Sequence, residues 1–365
     1  MSSDPLNICT IITKSHISFA RSLAQTFKQF HPDGNLWVLL ADSIDGYIDP
    51  SKEPFNLIRL SDLPNQNDIE PMCFYYSPFE LCCALRGHLH DYMWKKTNAP
   101  FWLFLDSDIM LTSNLDEITK EFEKASILLS PHITAPVNTK YTERLEIKSL
   151  RFGIYNAGFL GLKRTEISRA FISWFQKRLP IYAFENPDDG QYTDQLLLDH
   201  VPIFFNEVSK VSHPGVNVGR WNLHERKLSK DGNGKIMANG NPLIFCHFSR
   251  INPLNAAQYG IESQGFCEGI SNIWSDLSVH YAELLLANDF VRTRKFPYTF
   301  LFFKNGKRIN RRMRDVFFKK YAFQKGAAGS PFDKGSLAER FFFELQFLTY
   351  KAKKLLFPRR KFLPC

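Results

Sequence analysis

The chain has 365 residues, which is enough for one large α/β domain with an appendage or for two small domains. Hydrophobic residues supply 44% and charged residues 23%, an ordinary globular balance that excludes a fibrous or wholly disordered chain. The net charge of +9 conceals a division: residues 291–365 hold 20 Lys/Arg against 4 Asp/Glu (net +16), whereas the first 290 hold 26 against 33 (net −7).

Asn7–Thr13 is a short apolar run with the pattern of a buried strand. Phe19, Leu23, Phe27 and Phe30 then recur at helical spacing until His31-Pro32-Asp33-Gly34 stops them. Leu36–Ala41 is a second strand, which completes a β-α-β unit of a mostly parallel sheet. No G-x-G-x-x-G follows the first strand, so the fingerprint of an ordinary dehydrogenase is absent. Residues 72–97 read as helical, with Glu80, Leu81, Leu85 and Leu89 on successive turns. Phe101–Leu105, Ala125–Ser130 and Tyr155–Leu162 read as strands, followed by a helix near Ile167–Leu179 and a polar loop at Asn186–Thr193. Ile203–Phe205 and Leu243–His247 are expected to be late strands. A boundary is expected near 275–295, where the charge changes sign. No stretch approaches 18 apolar residues, so no membrane span is expected. Met1–Thr10 lacks the pattern of a secretory leader. The seven cysteines are scattered, with Cys82 and Cys83 adjacent and no C-x-x-C pair. That usage predicts reduced thiols and a cytoplasmic setting.

The most informative residues are Asp106 and Asp108, which follow the apolar Phe101–Leu105 directly. In a strand running through them, positions i and i+2 face one side. The carboxyl end of such a strand is where open α/β sheets bind ligands. Two carboxylates there suit a hard cation, Mn²⁺ or Mg²⁺, whereas a D-x-D triplet in isolation reads as a solvated turn.

Further elements follow in order: Tyr155-Asn156-Ala157-Gly158-Phe159, then Thr193-Asp194-Gln195, then Pro214-Gly215-Val216-Asn217-Val218-Gly219-Arg220-Trp221-Asn222-Leu223-His224-Glu225-Arg226, then Phe245-Cys246-His247-Phe248-Ser249-Arg250. Over roughly residues 7–260 this series resembles the nucleotide-sugar glycosyltransferases of GT-A fold. It is similar to the retaining glycosyltransferase family eight, and more so to bacterial transferases carrying P-G-x-N-V-x-x-W-N-L-x-x-R.

The resemblance implies a GT-A α/β fold with Asp106, Asp108 and His247 as metal ligands. It implies that Asn156 touches the donor or acceptor sugar, while Ala157 and Gly158 allow close approach. Asp194 and Gln195 would stand beside the reacting sugar carbon. Thr13 and Lys14 would lie at the nucleotide base and ribose, by analogy of fold alone. Trp221, His224 and Arg226 would line the cleft, where aromatic faces stack on sugars and guanidinium groups meet phosphate. The family-eight pattern ends in Gly and Lys where this chain has Arg250 and Asn252-Pro253, and Arg250 could reach the diphosphate in their place. Read without the resemblance, His247 is a core histidine, Asn156 a turn or cap residue, Asp194 a cap for Leu196–Leu198, and Arg226 and Arg250 surface charges. The resemblance favours retention of configuration. An inverting enzyme would instead need a carboxylate base, with Asp188, Asp189 and Asp194 available.

The basic segment from Val291 ends in a helix candidate, Ser336–Leu356, that mixes Phe341–Phe343, Leu345, Phe347 and Tyr350 with Lys351, Lys353 and Lys354. Such a helix fits an anionic membrane surface, and it fits equally a packed helix with a solvated basic face. No nucleic-acid recognition module is present in the sequence. The expected organisation is a GT-A-like catalytic domain over 1–275 and a basic, aromatic-rich extension over 276–365, at the inner face of the cytoplasmic membrane. The expected reaction is metal-dependent sugar transfer from a nucleotide sugar, UDP-linked by preference, to a glycan or lipid-linked glycan in bacterial surface-polysaccharide synthesis. The alternatives are a nucleotidyltransferase or sugar-nucleotide hydrolase, and a non-catalytic basic binding protein.

Overall fold

The structure, a computed structural model, describes residues 5–64, 66–137, 142–263, 272–323 and 330–333. The Ser336–Leu356 helix candidate lies outside the described residues. The strands in chain order are β1 (Asn7–Ile12), β2 (Asn35–Leu40), β3 (Asn56–Ile58), β4 (Phe101–Leu105), β5 (Ile109–Leu111), β6 (Ile127–Pro131), β7 (Tyr155–Lys163), β8 (Glu185–Asn186), β9 (Gln191–Tyr192), β10 (Val208–Lys210), β11 (Leu228–Lys230), β12 (Ile236–Ala238), β13 (Asn241–Pro242) and β14 (Phe245–His247). Seven of them form one sheet in the order β10-β6-β7-β4-β1-β2-β3. All neighbours run parallel except β7, which is antiparallel to β4 and to β6. This is the mostly parallel α/β sheet that the strand-helix alternation predicts.

The sheet is covered on both faces, so its central strands read as continuous apolar runs rather than alternating ones. Side chains of β4 still alternate between the two layers: Trp102 and Phe104 pack into one, Leu103 and Leu105 into the other. The second layer is closed by the helix Ile17–Phe30 through Ile17, Ala20, Leu23, Ala24 and Phe27. The first is closed by three helices that occupy the stretch read as one, Gln66–Tyr75, Pro78–Ala84 and Arg86–Lys96, together with Glu166–Tyr182. The break before the second of these is local chemistry. Ser77 and Glu80 form a reciprocal capping box ahead of Pro78, which cannot continue a helix from behind.

Two expectations need correction. Ile203–Phe205 is not a strand: Val201–Phe204 forms one helical turn that Pro202 starts, and Ile203 and Phe204 stay exposed. β4 also stops at Leu105, so Asp106-Ser107-Asp108 is a turn, closed by Ile109 N donating to Asp106 O at 3.2 Å.

The described part of the basic segment packs on the same body. Met313, Val316 and Phe317 of the helix Arg311–Phe323 belong to the layer that holds Phe74, Trp102 and Phe104. The buried Arg314 donates to the carbonyls of Phe74, Tyr76 and Phe300 at 2.5, 2.8 and 2.5 Å. Asn288, following the helix Asn272–Ala287, donates to Ser22 Oγ at 3.1 Å. No helix among the described residues is long and apolar enough to cross a membrane.

Candidate active site

β1 continues into β2 and β3 on one side of the sheet, while β4 lies on its other side. That reversal opens a crevice beyond the carboxyl ends of β1 and β4, where α/β sheets hold ligands. A cleft of about 680 Å³ sits there, lined among others by Thr13, Asp106, Asp108, Asn156, Asp194 and His247. Small-molecule sites have this size.

Three donors converge in it. One ligand atom each from Asp106, Asp108 and His247 lies within 4.8 Å of the others. His247 Nε2 is 3.1 Å from Asp108 Oδ1 and 3.8 Å from Asp106 Oδ2. Although 139 residues separate Asp108 from His247, the fold brings them together through a two-stranded ribbon. β14 pairs antiparallel with β5, placing His247 opposite Ile109, and Phe248 N donates to Asp108 O at 3.0 Å.

The His247 ring is fixed from behind. Its Nδ1 lies 3.0 Å from Asn217 Oδ1, and the Asn217 amide nitrogen donates to Ser130 Oγ at 3.2 Å. The amide oxygen is therefore the acceptor and Nδ1 carries a proton, which leaves Nε2 as the nitrogen that faces the two aspartates and can ligate once it is deprotonated. Asn217 reaches this position through a left-handed backbone (φ 54°), which Asn tolerates better than most residues. Desolvation in the cleft and the Asp108 charge raise the Asp106 carboxyl, against the pull of Arg86. Desolvation would also lower His247, but Asp108 and Asp106 overcome it and leave the imidazole raised. The His247 shift, made by two carboxylates against desolvation, expresses local negative charge, the condition that a bound cation relieves.

Gly158 faces this cluster with no room for a side chain. A Cβ there would stand 2.4 Å from His247 Cε1 and 2.8 Å from Asp106 Oδ2. The neighbouring Asn156 is buried in β7; its Oδ1 accepts from Gly158 N at 3.0 Å and its Nδ2 lies 3.1 Å from His132 Nε2. It is neither a cap nor a turn residue.

Arg86 links the donors to a third carboxylate. Its Nη2 lies 2.7 Å from Asp106 Oδ1, its Nη1 2.7 Å from Asp194 Oδ2, and it also donates to Ala157 O. The guanidinium is buried over the Phe104 ring, 4.2 Å from its centroid. Asp194 makes no side-chain cap for the following 3-10 helix, Gln195–His200; its carboxylate is spent on Arg86. The residue before it, Thr193, is buried with φ 50°, an uncommon conformation for a β-branched residue and of the kind that gathers at ligand sites. Gln195 braces the wall: Oε1 accepts from Ala157 N at 3.1 Å and Nε2 donates to Phe152 O at 2.9 Å.

The remaining expected residues divide. Thr13 lines the cleft, its hydroxyl 3.0 Å from His16 Nδ1. Trp221 lines it too, edge-on to His247 with ring centroids 5.1 Å apart. Arg250 is exposed on the rim with φ 64°. Lys14 and Arg226 stand outside the cleft. The Lys14 ammonium is buried against Asp45 Oδ2 (2.6 Å), Thr299 Oγ1 (2.7 Å) and Asp42 Oδ1 (3.5 Å), where it ties β1 to the basic segment. Arg226 is buried beside Glu225 at 3.3 Å. Of the three carboxylates available to an inverting base, Asp194 lines the cleft. Asp188 is 85% exposed and paired with Arg151, and Asp189 lies in the same outer turn.

Sequence reasoning missed Arg86, His132 and the task of Asn217. Asn217 lay inside a motif already singled out, and its place beside a glycine-rich turn was the available signal. Nothing in the sequence around Arg86 distinguishes it from other helical arginines. Among the described residues, Cys9, Cys73, Cys82, Cys83 and Cys246 are free thiols.

No family model matches the chain. It is 26% identical over 253 residues to YfnF of Bacillus subtilis strain 168, spanning 66% of this chain and 80% of that protein. It is 26% identical over 245 residues to YfnD of the same organism, spanning 66% and 76% respectively. Both are described as uncharacterised. Among solved structures it is similar to the galactosyltransferase LgtC, crystallised with donor and acceptor sugar analogues, with a TM-score of 0.46 at 15% identity over 74% of this chain and 99% of that one. The glycosyltransferase GlyE of Streptococcus pneumoniae TIGR4 follows, with a TM-score of 0.43 at 12% identity over 83% and 67%.

Proposed function

We propose that the chain is a metal-dependent glycosyltransferase that moves a sugar from a nucleotide-sugar donor, UDP-linked by preference, to a glycan or lipid-linked glycan of a bacterial surface polysaccharide. The reading rests on one observation: Asp106, Asp108 and a tautomer-fixed His247 converge in a cleft that also holds Asp194.

The donor set fits a hard or borderline divalent cation, two carboxylate oxygens and one imidazole nitrogen suiting Mn²⁺ or Mg²⁺. Asp106, Asp108 and His247 would hold it, and Asn217 would keep His247 in the ligating tautomer. When bound, the cation supplies Lewis-acid stabilisation of the negative charge on a nucleoside diphosphate leaving group.

The chain's own groups do the rest. Arg86 takes one oxygen of Asp106 and leaves Oδ2 to face the cluster. Asp194, held by the same guanidinium, would stand beside the reacting sugar carbon, as the family resemblance implies. Arg250 on the rim offers a forked donor to diphosphate oxygens. Trp221 gives the cleft an apolar wall against which a sugar face can rest. Retention of configuration is favoured, because Asp194 is engaged with Arg86 and Asp188 points to solvent.

The test is a panel of nucleotide sugars incubated with the protein and Mn²⁺. Release of intact nucleoside diphosphate supports sugar transfer. Release of pyrophosphate identifies a nucleotidyltransferase instead, and absence of nucleotide binding at millimolar ligand identifies a non-catalytic protein.

A further inference from the structure

The stretch 214–226 supports the cleft at more than one point. Asn217 holds His247, and Trp221 lines the wall. Asn222 closes the turn between them, its Oδ1 accepting from Gly219 N and its Nδ2 donating to Asn217 O, both at 3.0 Å. At the end of the same stretch the Glu225 carboxylate, 8% exposed, accepts from Thr134 N at 3.0 Å, Ala135 N at 2.9 Å and Thr134 Oγ1 at 3.0 Å. Arg226 Nη2 lies 3.3 Å from the same carboxylate. Bonds from backbone N–H groups to an ionised carboxylate are charge-assisted and about twice as strong as neutral ones. They fix the loop that leaves β6 after Pro131.

His132 opens that loop and lines the cleft, its ring edge-on to Trp221 with centroids 5.8 Å apart. Asn156 Oδ1 accepts from Gly158 N, so the amide atom that meets His132 Nε2 at 3.1 Å is the donor Nδ2. His132 Nε2 is therefore an acceptor, and the ring proton sits on Nδ1, which donates to Ile154 O at 3.2 Å. Burial lowers this imidazole to about 4, which keeps it neutral at ordinary pH. Both ends of the Asn156 amide are thus oriented. Its second Nδ2 hydrogen has no protein partner among the described residues and is left for a ligand in the cleft.

We propose that Glu225 is a positioning residue of the transfer site: by clasping Thr134 and Ala135 it holds His132 against Trp221 and Asn156, so that the remaining Asn156 N–H meets an oxygen of the bound sugar. The identity of that ligand rests on the sugar-transfer reading, whereas the clasp and its hold on His132 do not. A mere staple of the loop would contribute to stability and leave the His132 tautomer and the turnover alone.

The experiment takes the full-length chain with histidine labelled by an NMR-active nitrogen isotope, and uses His132→Phe to assign the His132 signals. In the natural chain His132 should show a protonated Nδ1 and a bare Nε2. Glu225→Ala should replace that single pattern by exchange between tautomers, with Mn²⁺ binding unchanged. Glu225→Gln, which keeps one acceptor oxygen, should disturb it less. On the same samples, kcat for nucleoside diphosphate release should fall by about 100-fold in Glu225→Ala and in His132→Phe, with KM for the donor little changed. His132→Gln, whose carbonyl still accepts from Asn156, should recover most of the turnover. An unaltered His132 pattern in both Glu225 variants, or a lowered melting temperature with kcat intact, would overturn the proposal. Absence of nucleoside diphosphate release by the natural chain would contradict the sugar-transfer reading instead, and the histidine spectra then decide whether Glu225 holds His132.

Discussion

Arg86 lies 2.7 Å from Asp194 and turns its other nitrogen to Asp106 at the same distance, so one buried guanidinium sets the spacing of two cleft carboxylates. A buried charge that loses its partner is costly, about 3–5 kcal/mol. Arg86→Met should therefore lower stability by roughly that amount, read as a shift of the denaturant midpoint. Arg86→Lys keeps the charge but not the fork, and should keep most of the stability while reducing turnover by about 10- to 100-fold. Equal turnover of Arg86→Lys and the natural chain would show that the spacing is immaterial.

Asn217 does not line the cleft, yet it determines which nitrogen of His247 faces the aspartates. Asn217→Ala should weaken Mn²⁺ binding by about 10- to 100-fold. Asn217→Asp, which still accepts from Nδ1, should recover most of the affinity. Calorimetric titration of the two variants decides the matter, and indistinguishable affinities would remove the assigned tautomer.

Gly158→Ala would place a methyl group 2.4 Å from His247 Cε1. The imidazole or β7 must shift, an overpacking cost of about 1–3 kcal/mol. Loss of Mn²⁺ binding with only this modest destabilisation is expected. Full Mn²⁺ affinity in the variant would mean that His247 is not needed at its present place.

Burial lowers His88 to about 4 and His90 to about 3 from the ordinary 6.5. His90 Nδ1 accepts from Trp102 Nε1 at 3.1 Å, which requires the neutral ring. Below about pH 6.5 the unfolded chain takes up protons that the folded chain refuses, so stability falls as pH drops toward 4, by at most roughly 1.4 kcal/mol per unit for each histidine. Denaturant midpoints at pH 7 and pH 5 test this, and equal midpoints would contradict it.

Much of the fold was legible because the central strands are apolar throughout and the flanking helices keep their spacing. β1, β4 and β7 lie within a residue or so of their sequence readings. Ile203–Phe205 misled because three apolar residues fit a strand or a helical turn equally, and Pro202 decided for the turn. The aspartates were legible as a pair, although a turn and not strand pleating aims them together. Lys14 was assigned by analogy of fold alone, which carries no information about its own partners. Its actual partners, Asp42, Asp45 and Thr299, are up to 285 residues away and invisible to local pattern. A separation of 108 residues (194 − 86) likewise hid Arg86 from Asp194, which only the folded chain brings into contact.

The most direct measurement is Mn²⁺ binding followed by the resonance signal of the free aqueous ion, with and without UDP, in the natural chain and in Asp108→Asn. The natural chain should deplete the free-ion signal, more strongly with UDP present, and Asp108→Asn should leave it close to that of buffer while keeping the same melting temperature. Equal depletion by the two proteins would contradict a divalent cation held between Asp106, Asp108 and His247.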